Sequence, residues 1–191
     1  MKLILASTSS YRAAQLQRLG LNFETCDPQV DESLWKQTLI SPESLAETLA
    51  MEKARQGFLQ HPDAIVIGGD QLVSFENRIL GKPGDAENAV KQLLSMQGKT
   101  HLLMTAIAVL GPNFRETHIN CTTLKMRTMD QDALKRYVQF DQPLDCAGAY
   151  KLESRGIALF EEIQSTDHSA ITGIPLMALT SILLKAGITL P

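Results

Sequence analysis

The side chains that could do chemistry in this sequence fall into three sets. Arg12, Lys53 and Lys82 are cationic, Glu32 and Asp70 are acidic, and Ser7-Thr8-Ser9-Ser10 is a run of hydroxyls. Serine or threonine ahead of a helix accepts from the orphaned N–H groups of its first turn. The same N–H groups, with the positive end of the helix dipole, attract anions and phosphate above all. Arg12 would add a forked donor to such a site. The run lacks the glycines of a P-loop, so taken alone it favours an ordinary capped helix over a phosphate site. Asp70 follows Gly68-Gly69. Paired glycines let a ligand or a second backbone approach, but Gly-Asp is also ordinary turn composition. Glu32 adjoins Asp31, and neighbouring surface acids are usually solvated. Lys53 sits beside Glu52 in a helical pattern, where a lysine normally faces solvent, and Lys82 is held between Gly81 and Pro83. As a set, these residues fit phosphate chemistry with a hard divalent ion. Carboxylates hold Mg²⁺ or Mn²⁺, cations grip phosphates, and an aspartate orients or deprotonates the attacking water.

The elements that must position them are readable in outline. Leu3 to Ala6 is a short buried strand, and a helix follows from about Ser9 to Leu19, with Gly20 placed to stop it. Asn22 to Cys26 reads as a strand, and Asp27 to Ile40 has no clear period. Ser41-Pro42 caps and opens a helix running to about Leu59. Ala64 to Ile67 is wholly apolar, as a strand buried on both faces should be, and it is expected to end at Gly68-Gly69-Asp70-Gln71. Ligands in open α/β folds gather at the carboxyl ends of strands, which favours Asp70. Leu72 to Phe75 and Arg78 to Leu80 flank Glu76-Asn77 as a hairpin. A helix is expected over Asp85 to Met96, long strands over His101 to Leu110 and Arg115 to Met126, and a helix over Asp130 to Phe140. The segment Pro143 to Gly156 is a loop dense in small residues, the kind that carries binding groups. Ile157 to Phe160 reads as a short strand, and Leu176 to Lys185 as the last helix.

Composition narrows the class. At 191 residues the chain suits one domain, or one domain with two lobes. The net charge of −3 argues against a nucleic-acid coat or a membrane-surface binder, while leaving room for a small anionic ligand. Cys26, Cys121 and Cys146 show no C-x-x-C spacing and are expected to be small buried hydrophobes in a reducing compartment. The apolar start is too short for a signal-peptide core, and no run is long enough for a membrane span, so the sequence reads as cytoplasmic. No G-x-S-x-G elbow, G-x-G-x-x-G fingerprint or paired-histidine metal motif occurs.

In order along nearly the whole chain stand Leu-Ala-Ser7-x-Ser9-x-x-Arg12, Asp31-Glu32, Glu52-Lys53-Ala54, Gly69-Asp70-Gln71 and Gly81-Lys82-Pro83. They are followed by Cys146-Ala-Gly-Ala-Tyr-Lys-Leu-Glu153 and Gly173-Ile-Pro-Leu176. This series resembles the Maf family of nucleotide pyrophosphatases. The resemblance implies a single domain over residues 1–191 with a mixed α/β fold. An elongated twisted sheet with flanking helices would form two lobes around a central cleft, similar to inosine triphosphatases. It also implies hydrolysis of a nucleoside triphosphate to the monophosphate and pyrophosphate, with a divalent cation (Mg²⁺, Mn²⁺ or Co²⁺) as cofactor. By position, Ser7, Arg12, Lys53 and Lys82 match phosphate-contacting residues, Asp70 the catalytic carboxylate, and Glu32 an acid that shares the metal with Asp70.

Members acting on thymidine and uridine triphosphates carry arginine, threonine and glutamine where this chain has Tyr11, Gln71 and Glu153. The chain is instead similar to the 7-methyl-GTP branch, in which tryptophan is common at the position of Tyr11. A base methylated at N7 is positively charged, so it favours an aromatic face by about 0.5–2 kcal/mol. Glu153 can complement that charge and accept from guanine N–H groups, whereas an arginine at position 11 would repel the base. The expected partner is therefore a small-molecule nucleotide, without nucleic acid or membrane, and a homodimer is compatible with the sequence. The alternatives are hydrolysis of dTTP, UTP or other modified nucleotides, or a nucleotide-binding regulator of cell division.

Overall fold

A computed structural model describes residues 1–32 and 40–190. In chain order the elements are β1 (Leu3–Ala6), α1 (Ser10–Gln17), β2 (Glu24–Cys26), α2 (Pro42–Gln60), β3 (Ile65–Phe75) and β4 (Arg78–Leu80). Then come α3 (Ala86–Met96), β5 (Thr100–Gly111), β6 (Phe114–Met126), α4 (Gln131–Asp141), β7 (Phe160–Gln164) and α5 (Leu176–Lys185). The strands form a seven-stranded mixed sheet in the order β2-β1-β3-β5-β6-β7, with β4 paired to β3. Among the described residues no helix is long and apolar enough to cross a membrane. The expectation for residues 27–40 falls partly outside the described residues.

The chain divides into two compact units. The first comprises Met1–Gln71, Thr105–Asn120 and Asp167–Pro191, and the second Leu72–Met104 and Cys121–Thr166. In the first unit β1 runs parallel to both β2 and β3, with Ala6 opposite Gly68. Period-two alternation sends neighbouring side chains to opposite faces of the sheet. Leu3, Leu5, Ile65, Ile67, Ile107 and Val109 form one core with Leu16 of α1 and Leu179, Ile182 and Leu183 of α5. Ile4, Ala6, Ala64 and Val66 form the other, against Cys26 and Phe58.

Helix α2 lies close on this second face because its inward residues are small. A Cβ added at Gly57 would meet Ala6 Cβ at 2.7 Å and Val66 Cγ1 at 2.9 Å. One added at Gly68 would run into the backbone of Ala50 and Ala54.

That packing corrects the reading of β3. Gly68 and Gly69 do not end a strand after Ile67; a single strand continues from Ile65 to Phe75. The glycines serve close approach rather than a turn. The parallel pairing with β1 does stop at Gly68, so the carboxyl end of the parallel sheet lies where the chain pattern put it.

In the second unit β3 and β4 form the expected hairpin, with Glu76 at φ 49° and Asn77 at φ 60°, left-handed values that suit a tight hairpin turn. Helices α3 and α4 are capped by Asp85 and Asp130, which accept from Asn88 N and Ala133 N. Two expectations fail. Residues Arg155–Leu159 form a 3-10 turn, and the strand lies later, at Phe160–Gln164. The apolar pattern at Ile157 to Phe160 does not report burial, since Ile157 and Ala158 are exposed. The cysteines are free thiols, but none is buried and Cys121 is exposed on β6.

His101, Tyr150 and Phe160 make a buried aromatic cluster, with His101 Nε2 3.1 Å from the Tyr150 hydroxyl. Burial holds the His101 imidazole down at about 4, so it stays neutral in the fold while an unfolded histidine protonates near 6.5. The unfolded chain then binds the extra proton between those values. The contribution is complete above pH 6.5 and is lost as pH falls toward 4, up to about 3 kcal/mol. His101→Gln should flatten the fall in urea midpoint between pH 6.5 and 4.5; an unchanged slope would clear His101 of that role.

Candidate active site

Strand β1 ends at Ala6, and the chain turns at once, with Ser7 N donating to Leu5 O at 2.9 Å. Ser7 is buried, and its Oγ accepts from Ser9 N at 3.2 Å. Ser9 caps α1, its side chain accepting from Arg12 N at 3.4 Å. The first turn of α1 thereby aims Arg12 back toward the strand ends. Its Nε donates to Gly173 O at 3.3 Å and its Nη1 to Ser7 Oγ at 3.5 Å. Two glycines make room for the guanidinium. A Cβ at Gly69 would lie 3.3 Å from Arg12 Nε, and one at Gly173, where φ is 110°, 3.3 Å from Arg12 Cγ.

β3 runs on beyond the pairing of Gly68 with Ala6 and so carries Asp70, two residues further, past the end of β1. Asp70 shares a face with Gly68, the face that α2 covers, and is 4% exposed. Lys53 of α2 reaches it there: Nζ donates to Asp70 Oδ1 at 2.6 Å and to Glu32 Oε1 at 2.8 Å.

The expectation of a solvent-facing Lys53 is thus corrected, since the residue is buried. The signal was present in the spacing: Leu45, Leu49 and Lys53 fall four apart, on one helical stripe with Ala46, Ala50, Ala54 and Gly57. Glu32, whose type and acidic neighbour alone suggest a solvated acid, is half-buried and paired to Lys53.

Burial pushes the Asp70 carboxyl up, opposed by the charges of Lys53 and Arg12 and reinforced by Glu32. Burial likewise lowers the Arg12 guanidinium, while Asp70 and Glu32 hold it up. Asp70 Oδ2 is buried and has no hydrogen-bond partner among the described residues. No group of three or more His, Cys, Asp or Glu side chains that could hold a metal comes together among them.

Gln71 points to the opposite face. Its Nε2 lies 2.9 Å from Thr105 Oγ1, 3.0 Å from Ala170 O and 3.1 Å from Ile171 O, and Thr105 Oγ1 itself donates to Ala170 O at 2.9 Å. The amide nitrogen is therefore turned inward and the amide oxygen outward. Thr105 went unnoticed in the sequence, although a lone hydroxyl within the apolar run of β5 was the available signal.

Asp167 and Ser169 were missed as well. They cap α5 in place of its Pro175, accepting from Met177 N at 2.9 Å and Leu176 N at 2.8 Å, and so fix the segment that offers Gly173 O to Arg12. Tyr11 is half-buried on α1.

Ser7, Arg12, Glu32, Lys53, Asp70 and Gln71 thus come together in the first unit. Lys82 and Glu153 belong to the second unit, and both are exposed there. The turn bearing Lys82 is held on both sides, as Gly81 O accepts from Gln92 Nε2 at 3.0 Å and Gly84 N donates to Leu144 O at 3.0 Å.

Relatives agree along the full length. The chain is 48% identical over 187 residues to a protein of Bdellovibrio bacteriovorus named 7-methyl-GTP pyrophosphatase, covering 98% of each chain. Proteins of the same name from Aromatoleum aromaticum and Xanthomonas axonopodis pv. citri are 43% and 42% identical, over 100% of this chain and 98% and 99% of theirs. Among solved structures, the Staphylococcus aureus Ham1 protein is similar over 68% of this chain and 73% of its own at TM-score 0.45 and 17% identity, too remote to bear on the chemistry. The family description Maf-like protein matches residues 2–186, and the chain belongs to that family.

Proposed function

We propose that this chain, acting as a single Maf-like domain, hydrolyses 7-methyl-GTP to 7-methyl-GMP and pyrophosphate. The observation that carries the reading is the state of Asp70: a buried carboxylate with one oxygen fixed by Lys53 and the other without a partner among the described residues. Lys53 holds the carboxylate in place through Oδ1. Burial that raises the affinity of Asp70 for a proton makes it the better general base toward a water attacking the α-phosphorus. The α–β bridging bond then breaks, and pyrophosphate leaves with the bond's electron pair.

Ser7, Arg12, Lys53 and Lys82 are assigned to the phosphates. Arg12 suits this because Gly173 O and Ser7 Oγ engage only part of its five-donor fork. Asp70 and Glu32 are the residues that would hold a divalent cation. The buried, unpartnered Oδ2 and the hard oxygen donors of both acids fit Mg²⁺, Mn²⁺ or Co²⁺. When bound, such an ion supplies Lewis-acid stabilisation of charge on the phosphate oxygens. Tyr11 offers its ring to the cationic base, Glu153 its negative charge, and Gln71 an outward amide oxygen able to accept from a guanine N–H.

Purified protein with Mg²⁺, Mn²⁺ or Co²⁺ is expected to release pyrophosphate from 7-methyl-GTP in preference to GTP, UTP and dTTP, and to lose turnover in EDTA. Equal or faster turnover of dTTP would reassign the substrate. Asp70→Asn should lower kcat by about 10²–10⁴-fold with nucleotide binding retained, measured by pyrophosphate release and calorimetry. Lys53→Met leaves Asp70 and Glu32 without their shared ammonium. It should cost roughly 3–5 kcal/mol in urea denaturation as well as activity; a variant of parental stability would mean that the pair is not needed for folding.

A further inference from the structure

Glu153 is exposed, and an exposed loop acid is a poor reader of a base unless its backbone is held. The segment around it is held on both sides. Two residues before it, Lys151 N donates to the Tyr137 hydroxyl at 2.9 Å. Two residues after it, Arg155 N donates to Asp141 Oδ2 at 2.9 Å, and Arg155 Nη1 donates to Asp141 Oδ1 at 2.9 Å. Tyr137 and Asp141 stand four apart on α4 and so share one face. The turn closes on itself as well: Lys151 O accepts from Ser154 N at 3.2 Å and Gly156 N at 3.1 Å. A Cβ at Gly156 would strike the Lys151 carbonyl.

Asp141 is a costly choice for bracing alone. Its side chain is 0% exposed, and it is the last residue of α4, where the negative end of the helix dipole disfavours a carboxylate. Both of its oxygens are spent on Arg155, whose guanidinium also lies over the Phe140 ring at 5.4 Å.

We propose that Asp141 is a positioning residue for substrate selectivity, locking the Lys151–Arg155 turn so that Glu153 is presented in one orientation to the positively charged base. The inference rests on the proposed reading of 7-methyl-GTP by Glu153. Tyr137 secures the other end of the same turn.

The test is the ratio of kcat/KM for 7-methyl-GTP to that for GTP, measured by pyrophosphate release. Glu153→Gln should lower the ratio by roughly tenfold, the scale of a hydrogen bond to a charged group. Asp141→Ala should lower it by a similar factor, through KM for 7-methyl-GTP rather than kcat, and adding it to Glu153→Gln should lower it no further. Asp141→Asn, which keeps an oxygen for the Arg155 amide, should hold the ratio within about threefold of the parent. If Glu153→Gln lowers the ratio and Asp141→Ala slows both substrates equally, Asp141 only braces the fold and the proposal is overturned. If Glu153→Gln leaves the ratio unchanged, the reading of the base by Glu153 fails and this inference fails with it. Should Asp141→Ala not fold, Tyr137→Phe tests the same lock from the Lys151 side; a parental ratio there overturns the proposal.

Discussion

A lysine ammonium and an aspartate carboxylate held 2.6 Å apart out of water place heavy demands on everything around them. Removing two charges from solvent costs several kcal/mol per ion, and their attraction offsets this only in good geometry. For Lys53 to meet Asp70, α2 must lie nearly against the sheet, which is why Ala50, Ala54 and Gly57 face it and why β3 has no side chain at Gly68. The same closeness excludes the solvent that would weaken the pair. Glu32 gives the ammonium a second acceptor, so one cation serves two acids.

The strand beneath has two working sides. Asp70 and Gln71 are consecutive, so the pleat sends them to opposite layers. One is held by a helix side chain, the other by Thr105 and the carbonyls of Ala170 and Ile171. Arg12 belongs to the Gln71 layer, against Gly69 and Gly173, yet its charge is felt at Asp70. Positive charge therefore approaches the carboxylate from both layers while its Oδ2 stays without a partner among the described residues. A chain of small net charge can in this way build a strongly charged centre.

Local rules carried the sequence reading a long way. The starts of α1, α2, α3 and α4 were legible to within a residue or two, and in the fold Ser9, Ser41, Asp85 and Asp130 each accept from an N–H of the first turn. The final helix, Leu176–Lys185, was legible from its ends. What escaped was set by packing at a distance. Gly68-Gly69 has the composition of a turn, and only the backbone of α2 shows why glycine is needed inside a strand. Lys53 looks like a surface lysine until its partner on β3 is in view. The roles of Thr105 and Asp141 depend on carbonyls and amides contributed by remote segments, which residue type alone does not announce. The ordered motif resemblance supplied candidates, and the geometry then supplied physical reasons for grouping those in the first unit.

The continuity of β3 has a consequence for how such a chain can change length. Because Asp70 is carried on a pleated strand rather than a loop, its facing is tied by parity to the pairing of Ile65 through Gly68 with β1. Losing or gaining one residue within that stretch would exchange the layers, handing the carboxylate to the Gln71 side and the amide to Lys53. Slack can be absorbed in the turn at Glu76-Asn77 or beyond Gly111, but not there. The distance in sequence between the start of β3 and its aspartate is therefore a constant that drift cannot adjust one residue at a time.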